Sequence, residues 1–436
     1  MNLYPYRQDL KKRIELLVTT AMDVRDKLWE VQISSGDLGQ SGAISQQRSR
    51  DIIRETETET ETESSGNGNG NNTGKTLKET VMLFRCHHSL GDAVSLVAAL
   101  GDLLDEAEEI QAKIRFEIQK RKNKHQGALK KLWRFLQKMI WFLFGSIQAL
   151  QRQGYLMWTT AQNPFLAVLN KSNKDGLELA ALGRSVSWCD VAGVDEVKKV
   201  AKIIGGPRAT VNDVFVSCVT AAVARQLAEH RKRRSSSDNN YNNGNGDGDE
   251  VQMQMQMQKL MNVVIPAHLT GGILPPGRGV GNLIGAFVAQ VPGEMDANTL
   301  PSERLQLVHA SLDKVKRSPA PVLGYLIAKF TSQWLPESWA VGLFRRSSAN
   351  AAVAITNSRG YEEKVHINGR TVESMVGFIP LPPGLPVGVV VQSYGSVISL
   401  TVNAEKWAVP DADKFLSWVL EEYKLLCKEA SLKSQS

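Results

Sequence analysis

Apolar and polar residues alternate in strand-like runs at several places along the chain, and helical patterns lie between them. The strand-like runs are TVMLFRCH, NVVIPAHL, LIGAFVAQV, AAVAITNS and VHING, together with VGVVVQSYGSVISLTV, which predicts a hairpin that turns near Tyr394 and Gly395. TVNDVFVSCVTAAVARQLAEH predicts a helix that Thr210 can cap, with Asp213 three residues on. Strands mixed with helices indicate an α/β protein.

The last helical segment, PDADKFLSWVLEEYKLL, has an apolar stripe that predicts a core helix. The stripe consists of Phe415, Trp418, Val419, Tyr423 and Leu426. A chain of 436 residues is long enough for two or three domains or for one large two-lobed unit.

Two low-complexity stretches interrupt these patterns. They are ETETETETESSGNGNGNNTG and SSSDNNYNNGNGDGDEVQMQMQMQ, and both lack the apolar periodicity that could offset the loss of chain entropy. We therefore expect disordered insertions at about 36–74 and 232–258, each in a surface loop that leads into a strand.

The composition predicts a folded body, since 42% of the residues are hydrophobic and 22% are charged. The four cysteines, at positions 86, 189, 218 and 427, form no C-x-x-C pair, which argues against a disulfide-stapled secreted domain and against a zinc ribbon. The first residues have no apolar core behind a basic start and do not predict a secretory signal. We expect a reducing compartment.

The net charge of +7 is concentrated in residues 111–138, which contain ten Lys or Arg and one acid, Glu117. The uncharged run 139–150 follows and is shorter than the roughly 20 residues that span a bilayer. One interpretation is a helix that lies on an anionic membrane surface, and an equal alternative is a solvated basic helix followed by a core helix. No nucleic-acid-binding motif accompanies the charge, so no nucleic-acid partner is expected.

Two adjacent histidines follow the first of the strand-like runs, in VMLFRCHHSLGDAVSL. If the strand continues through them, His87 and His88 point to opposite faces, which disfavours a shared metal site. We predict no metal. A nucleophilic Cys86 activated by His88 is disfavoured as well, because two side chains that lie two residues apart on one face of a strand are poorly placed to hydrogen-bond to each other. In a purely structural alternative, Gly91 makes a turn and Asp92 caps a helix that starts at Ala93.

HHSLGDA resembles the HHxxxDG motif of the coenzyme A-dependent acyltransferase superfamily, with Ala93 in place of glycine. RCHHSLGDAVSL is similar to the plant branch of the wax ester synthase and diacylglycerol acyltransferase family. Further segments resemble that family in the same order, from about Tyr4 to Leu426. They are KLWEVQI at 27–33, ATVNDVFVSCV at 209–219, VGNLIGAFV at 280–288, AITNSRGYEEKVHING and GLPVGVVVQSYGSVISLTVNAEKW.

The resemblance implies a two-lobed, chloramphenicol acetyltransferase-like α/β fold with a tunnel between the lobes. The N-terminal acyltransferase lobe is expected over 1–130, a linker with a membrane-associated helix over 131–180, and the C-terminal lobe over 181–436. KLWEVQI arrives too early to leave room for the first strand and helices of the family, so we expect an incomplete N-terminal lobe.

The resemblance also implies an O-acyltransferase that moves a fatty acyl group from acyl-CoA to a long-chain alcohol or to diacylglycerol. No cofactor is expected besides acyl-CoA as co-substrate. His88 is the implied general base, His87 supports the local backbone, and Asp92 holds the loop through a hydrogen bond or ion pair. Asn212 and Asp213 match the family's Asn-Asp pair and serve either the oxyanion or the helix cap.

Two alternatives stay open: an inactive lipid-binding relative, and a superfamily acyltransferase with another acceptor. Besides Ala93, the chain departs from the family at Ile265, where relatives commonly have arginine, and at Tyr361, where proline is usual. The expected location is the cytosolic face of the endoplasmic reticulum membrane, with the plasma membrane as the alternative.

Overall fold

The computed structural model describes residues 5–20, 22, 29–37, 78–123, 145–151, 155, 163–165, 182–238, 260–269, 281–295, 299–382 and 384–435. The chain divides into two compact units, Met1–Leu90 and Gly91–Ser436. Most of both predicted insertions, residues 124–144 of the basic and apolar segment, and most of the linker expected at 131–180 lie outside the described residues.

The first unit contains one helix and one antiparallel strand pair, with α1 at Pro5–Thr19, β1 at Trp29–Asp37 and β2 at Lys78–Cys86. Glu30 lies opposite Arg85 in the register and forms an ion pair with it at 3.2 Å. Arg13 of α1 donates to the Gln32 side chain at 2.9 Å, which ties the helix to β1. The alternating pattern of TVMLFRCH thus forms the expected strand.

The second unit is built on a six-stranded mixed sheet in the order β3-β10-β9-β6-β4-β5. The β4–β6 and β6–β9 pairs are parallel and the other pairs antiparallel. The strands are β3 Arg184–Gly193, β4 Leu260–His268, β5 Ile284–Pro292, β6 Val353–Arg359, β9 Val387–Tyr394 and β10 Val397–Glu405, with a separate small pair β7 His366–Ile367 and β8 Arg370–Thr371.

Helices accompany this sheet, and eight of them have both ends within the described residues. They are α2 Ala93–Gly101, α3 Ala107–Asn123, α4 Val194–Gly205, α5 Val211–Asp238, α6 Pro301–Lys316, α7 Ala320–Trp334, α8 Glu337–Ala349 and α9 Ala412–Gln435. No described helix is both long enough and apolar enough to cross a bilayer. The α/β class is confirmed, while the tunnel between two lobes stays a prediction.

The core of the second unit explains why its central strands are rich in valine. Nearly every residue of β9 and β10 is buried, because side chains on both faces of these strands are covered. The predicted hairpin is confirmed, with Gly395 in the turn at a φ of 58° that a side chain would strain. The stripe on α9 is confirmed too: Phe415, Val419, Tyr423 and Leu426 are buried, and Trp418 is partly buried.

Candidate active site

The two motif histidines lie just beyond the end of β2, in a turn of the first unit. The strand ends at Cys86, before both histidines, so strand alternation does not set the directions in which His87 and His88 point. The turn is closed by the Leu90 N–H, which donates to the His87 carbonyl at 3.0 Å. Both imidazoles are exposed.

His87 is held by its own turn. Its Nδ1 lies 2.7 Å from the Ser89 Oγ and accepts from the Ser89 main-chain N–H at 3.3 Å. A ring nitrogen that accepts a hydrogen bond carries no proton, so in this arrangement the neutral His87 ring carries its proton on Nε2. The contacts agree with the expected role of His87 in supporting the local backbone.

Cys86 precedes the histidines and is the candidate nucleophile that the sequence disfavours. Partial burial raises the pKa of its thiol above the ordinary value. A raised pKa lowers the thiolate fraction at neutral pH, and the thiolate is the reactive form. Electrostatics therefore gives no support to cysteine catalysis at this position.

Asp92, in the second unit, caps α2 as the sequence predicts. Its Oδ1 accepts the Ser95 N–H at 2.9 Å, and α2 starts at Ala93. Its Oδ2 accepts the Leu283 N–H at 2.8 Å and lies 3.5 Å from His268 Nε2. Only 1% of Asp92 is exposed, so these bonds are sheltered from water. One carboxylate thus holds the start of α2, the segment before β5 and the end of β4.

Ser95 adds further bonds between the same two segments. Its hydroxyl donates to the Gly281 carbonyl at 2.6 Å and accepts the Gly281 N–H at 3.4 Å. The Asp92 N–H also donates to the Gly281 carbonyl, at 3.4 Å. These contacts fasten the Asp92 end of the motif to the Gly-Asn-x-x-Gly segment, although the two are far apart in sequence.

Asp213 is buried at the start of α5 and is fully engaged by its neighbours. Its carboxylate accepts the Thr210 N–H at 3.0 Å and pairs with His309 Nδ1 at 2.9 Å and Lys316 Nζ at 2.5 Å. Lys316 also donates to the Thr210 hydroxyl at 3.2 Å. These contacts favour the capping interpretation of Asp213, extended by an ion-pair link from α5 to α6.

Asn212 differs from its neighbour. Its Oδ1 is buried and has no hydrogen-bond partner within the part of the chain that the structure describes. Buried polar atoms are nearly always paired in folded proteins, so an exception marks a candidate ligand-binding group. The unpaired Oδ1 is an acceptor, however, and an oxyanion needs a donor, so the oxyanion role of Asn212 would fall to its Nδ2 and stays a prediction.

The three departures from the family pattern have different surroundings. Ala93 is exposed, so its methyl group meets no tight packing. Ile265 lies in the hydrophobic core, 4% exposed, and the side chain of His268, three residues further along, lies 3.5 Å from Asp92. The Tyr361 hydroxyl donates to the Val97 carbonyl of α2 at 2.7 Å, and burial raises the pKa of that phenol to about 12.

Sequence reasoning missed four polar residues of this region: Ser95, His268, His309 and Lys316. Ser95 had a local signal, because it lies three residues after the cap residue Asp92. The other three reach their carboxylates from separate elements, so no local pattern reveals them. In the described ranges, no group of three or more His, Cys, Asp or Glu side chains is arranged to hold a metal ion.

Residues 280–426 match the C-terminal domain of the wax ester synthase/diacylglycerol acyltransferase (WS/DGAT) family. Wax ester synthase/diacylglycerol acyltransferase 11 of Arabidopsis thaliana is 22% identical over 363 residues, which cover 80% of this chain and 70% of the relative. The matched domain contains Leu283, which bonds to Asp92, as well as β5, α6 to α8 and most of α9.

Two solved structures that align with this chain have lower sequence identity to it than the Arabidopsis relative has. The wax ester synthase/diacylglycerol acyltransferase from Marinobacter aquaeolei VT8 aligns with 98% of this chain and 78% of its own, at 15% identity and a TM-score of 0.49. The epimerization domain from the third module of tyrocidine synthetase B aligns with 81% of this chain and 70% of its own, at 11% identity and a TM-score of 0.40.

Proposed function

We propose that this chain acts as an acyltransferase of the wax ester synthase/diacylglycerol acyltransferase family, whose C-terminal domain residues 280–426 match. In this proposal it transfers a fatty acyl group from acyl-CoA to the hydroxyl of a long-chain alcohol or a diacylglycerol. The observation that carries the proposal is the link between the matched domain and the histidine motif. The Leu283 N–H, inside the matched residues, donates to the buried Asp92 of the motif. The products are a wax ester or triacylglycerol, and free coenzyme A.

His88 is proposed as the general base, because a near-neutral imidazole can accept a hydroxyl proton at physiological pH. The hydroxyl oxygen attacks the thioester carbonyl while His88 removes its proton, and a tetrahedral oxyanion forms. When this intermediate collapses, the carbon–sulfur bond breaks and the same ring returns the proton to the coenzyme A thiolate. The acyl group passes directly from sulfur to oxygen, so neither a covalent enzyme intermediate nor a cofactor is needed.

Three other residues support this step in the proposal. His87 holds the turn on which His88 lies, through its bonds with Ser89. Asp92 fixes the chain a few residues beyond the base. We propose that the Nδ2–H of Asn212 donates to the oxyanion, as the family resemblance implies, and a well-aimed donor of this kind is worth about 3–4 kcal/mol in the transition state.

The acceptors in this proposal are lipids, so we place the protein at a membrane surface, on the cytosolic face of the endoplasmic reticulum, with the plasma membrane as the alternative. The motivation is the basic segment 111–138 beside the uncharged run 139–150.

The test is an acyl-transfer assay with radiolabelled acyl-CoA. The purified chain is incubated with a fatty alcohol, a diacylglycerol, or a short water-soluble alcohol, and neutral lipids are separated by thin-layer chromatography. Labelled wax ester or triacylglycerol supports the proposal and identifies the acceptor. Product with the soluble alcohol alone would indicate another acyltransferase of the superfamily. Binding of acyl-CoA without any product would indicate an inactive lipid-binding relative.

A further inference from the structure

The consecutive helices α7 and α8, joined by Leu335 and Pro336, expose large apolar side chains. Four aromatic residues of this α7–α8 hairpin are more than half exposed: Phe330 at 58%, Trp334 at 73%, Trp339 at 68% and Phe344 at 61%. Exposed valine, leucine and isoleucine side chains lie on the same two helices. Two of the aromatic residues, Trp334 and Trp339, stand on either side of the connection.

The exposed apolar area is large for a surface that faces water. An aromatic side chain contributes roughly 150–250 Å², so these four alone expose on the order of 500 Å². The largest apolar patch on an ordinary monomer is about 300–600 Å² in total and is often functional. The exposed aliphatic side chains of the two helices add to this area. We therefore expect the α7–α8 hairpin to be a binding surface.

The base of the hairpin is fixed against the sheet by close backbone contact. A Cβ on Gly285 of β5 would lie 1.9 Å from the Pro321 carbonyl oxygen, and a Cβ on Gly324 of α7 would lie 2.3 Å from the Ala286 carbonyl oxygen. Neither position therefore has room for a side chain. Exposure rises along α7, from 4% at Ala320 to 73% at Trp334. The sheet thus holds one end of α7 in place while the other end meets solvent.

The charges of the hairpin indicate the chemistry of its partner. Lys329, Arg345 and Arg346 are exposed, and Glu337 is the only acid in α7 and α8. Basic residues around an aromatic-rich apolar face fit an anionic lipid surface, since lysine and arginine meet the headgroups and tryptophan favours the interface.

The helices are 15 and 13 residues long, shorter than the roughly 20 residues that span a bilayer. We propose that the α7–α8 hairpin docks the protein onto an anionic lipid bilayer and lies within its interface. This surface is separate in sequence from the basic segment 111–138. It belongs to the matched family domain, and its role does not depend on which acceptor the enzyme uses.

The test is flotation of the full chain with vesicles of phosphatidylcholine containing about a third phosphatidylserine. We expect W334S/W339S to lower vesicle partitioning by about tenfold or more, because it removes the two most exposed interfacial side chains. The matched control is L425S/L432S on α9, where the leucines are 43% and 61% exposed, and it should bind as the wild type does. Circular dichroism melts establish that the variants are folded.

A charge variant gives a second, independent readout. R345E/R346E should weaken binding to the anionic vesicles more than binding to pure phosphatidylcholine, and added salt should narrow that difference. If W334S/W339S binds the vesicles as strongly as the wild type does, the proposal is wrong. So would a dimer that this variant dissociates in ultracentrifugation without any change in vesicle binding, because a second copy of the chain would then be what covers the hairpin.

Discussion

Replacing Asp92 with alanine should destabilise the second unit strongly, because one buried carboxylate satisfies groups from separate segments. The variant leaves the Ser95 and Leu283 N–H groups without their acceptors, which lie at 2.9 and 2.8 Å, and removes the partner 3.5 Å from His268. A buried donor left unsatisfied costs about 1–3 kcal/mol, so leaving both N–H groups unsatisfied should cost about 2–6 kcal/mol. That is a large part of the roughly 5–15 kcal/mol that stabilises a typical domain.

The assay is urea unfolding followed by circular dichroism, with Asp411→Ala as the matched control. Asp411 accepts the main-chain N–H groups of Asp413 and Lys414 at the start of α9, but it is exposed and joins no distant segment. The control should lose about 1 kcal/mol, the usual value of a cap. An Asp92→Ala variant no less stable than Asp411→Ala would refute the idea that Asp92 ties the motif to the matched domain.

Two further predictions concern buried carboxylates. Asp213→Ala should lose about 2 kcal/mol or more in urea unfolding, because the Thr210 N–H loses its acceptor and both His309 and Lys316 lose their partner. A loss of only about 1 kcal/mol, the usual value of a cap, would contradict the ion-pair link. Burial raises the pKa of Glu422, so its folded form holds a proton more tightly than the unfolded chain. Stability should therefore fall as pH rises from the ordinary glutamate pKa through the raised one. Glutamine does not titrate, so the stability of Glu422→Gln should not fall in this way and should increase relative to that of the wild type as pH rises. If the difference in unfolding free energy between the two proteins is the same at acid and neutral pH, the prediction is wrong.

Local patterns in the sequence predicted those features that depend on near neighbours. The strand before the histidines, the cap at Asp92, the helix after Thr210 and the hairpin at Gly395 all follow from hydrophobic periodicity and from the conformational needs of caps and turns. The possible continuation of the strand through both histidines does not occur, since β2 ends at Cys86, and an apolar alternation does not show where a strand stops.

Features that depend on distant contacts could not be read in this way. His268 reaches Asp92 from the end of β4, and Lys316 reaches Asp213 from the end of α6. The apolar residues of α7 have the same spacing as those of a core helix, so the pattern does not indicate that Trp334 is exposed. Which face of a helix meets a neighbour depends on the assembled fold, and a single helical pattern contains no such information.

The most direct measurement is the rate of acyl transfer from acyl-CoA by the His88→Ala and His87→Ala variants, with circular dichroism to show that both are folded. If His88 removes the hydroxyl proton, His88→Ala should lose about 10²–10⁴-fold in rate, the usual contribution of a general base. His87→Ala should keep measurable turnover, because its ring supports the turn through Ser89 and does not react. A wild-type rate in folded His88→Ala, or an equal and complete loss in both variants, would contradict the assignment of the base.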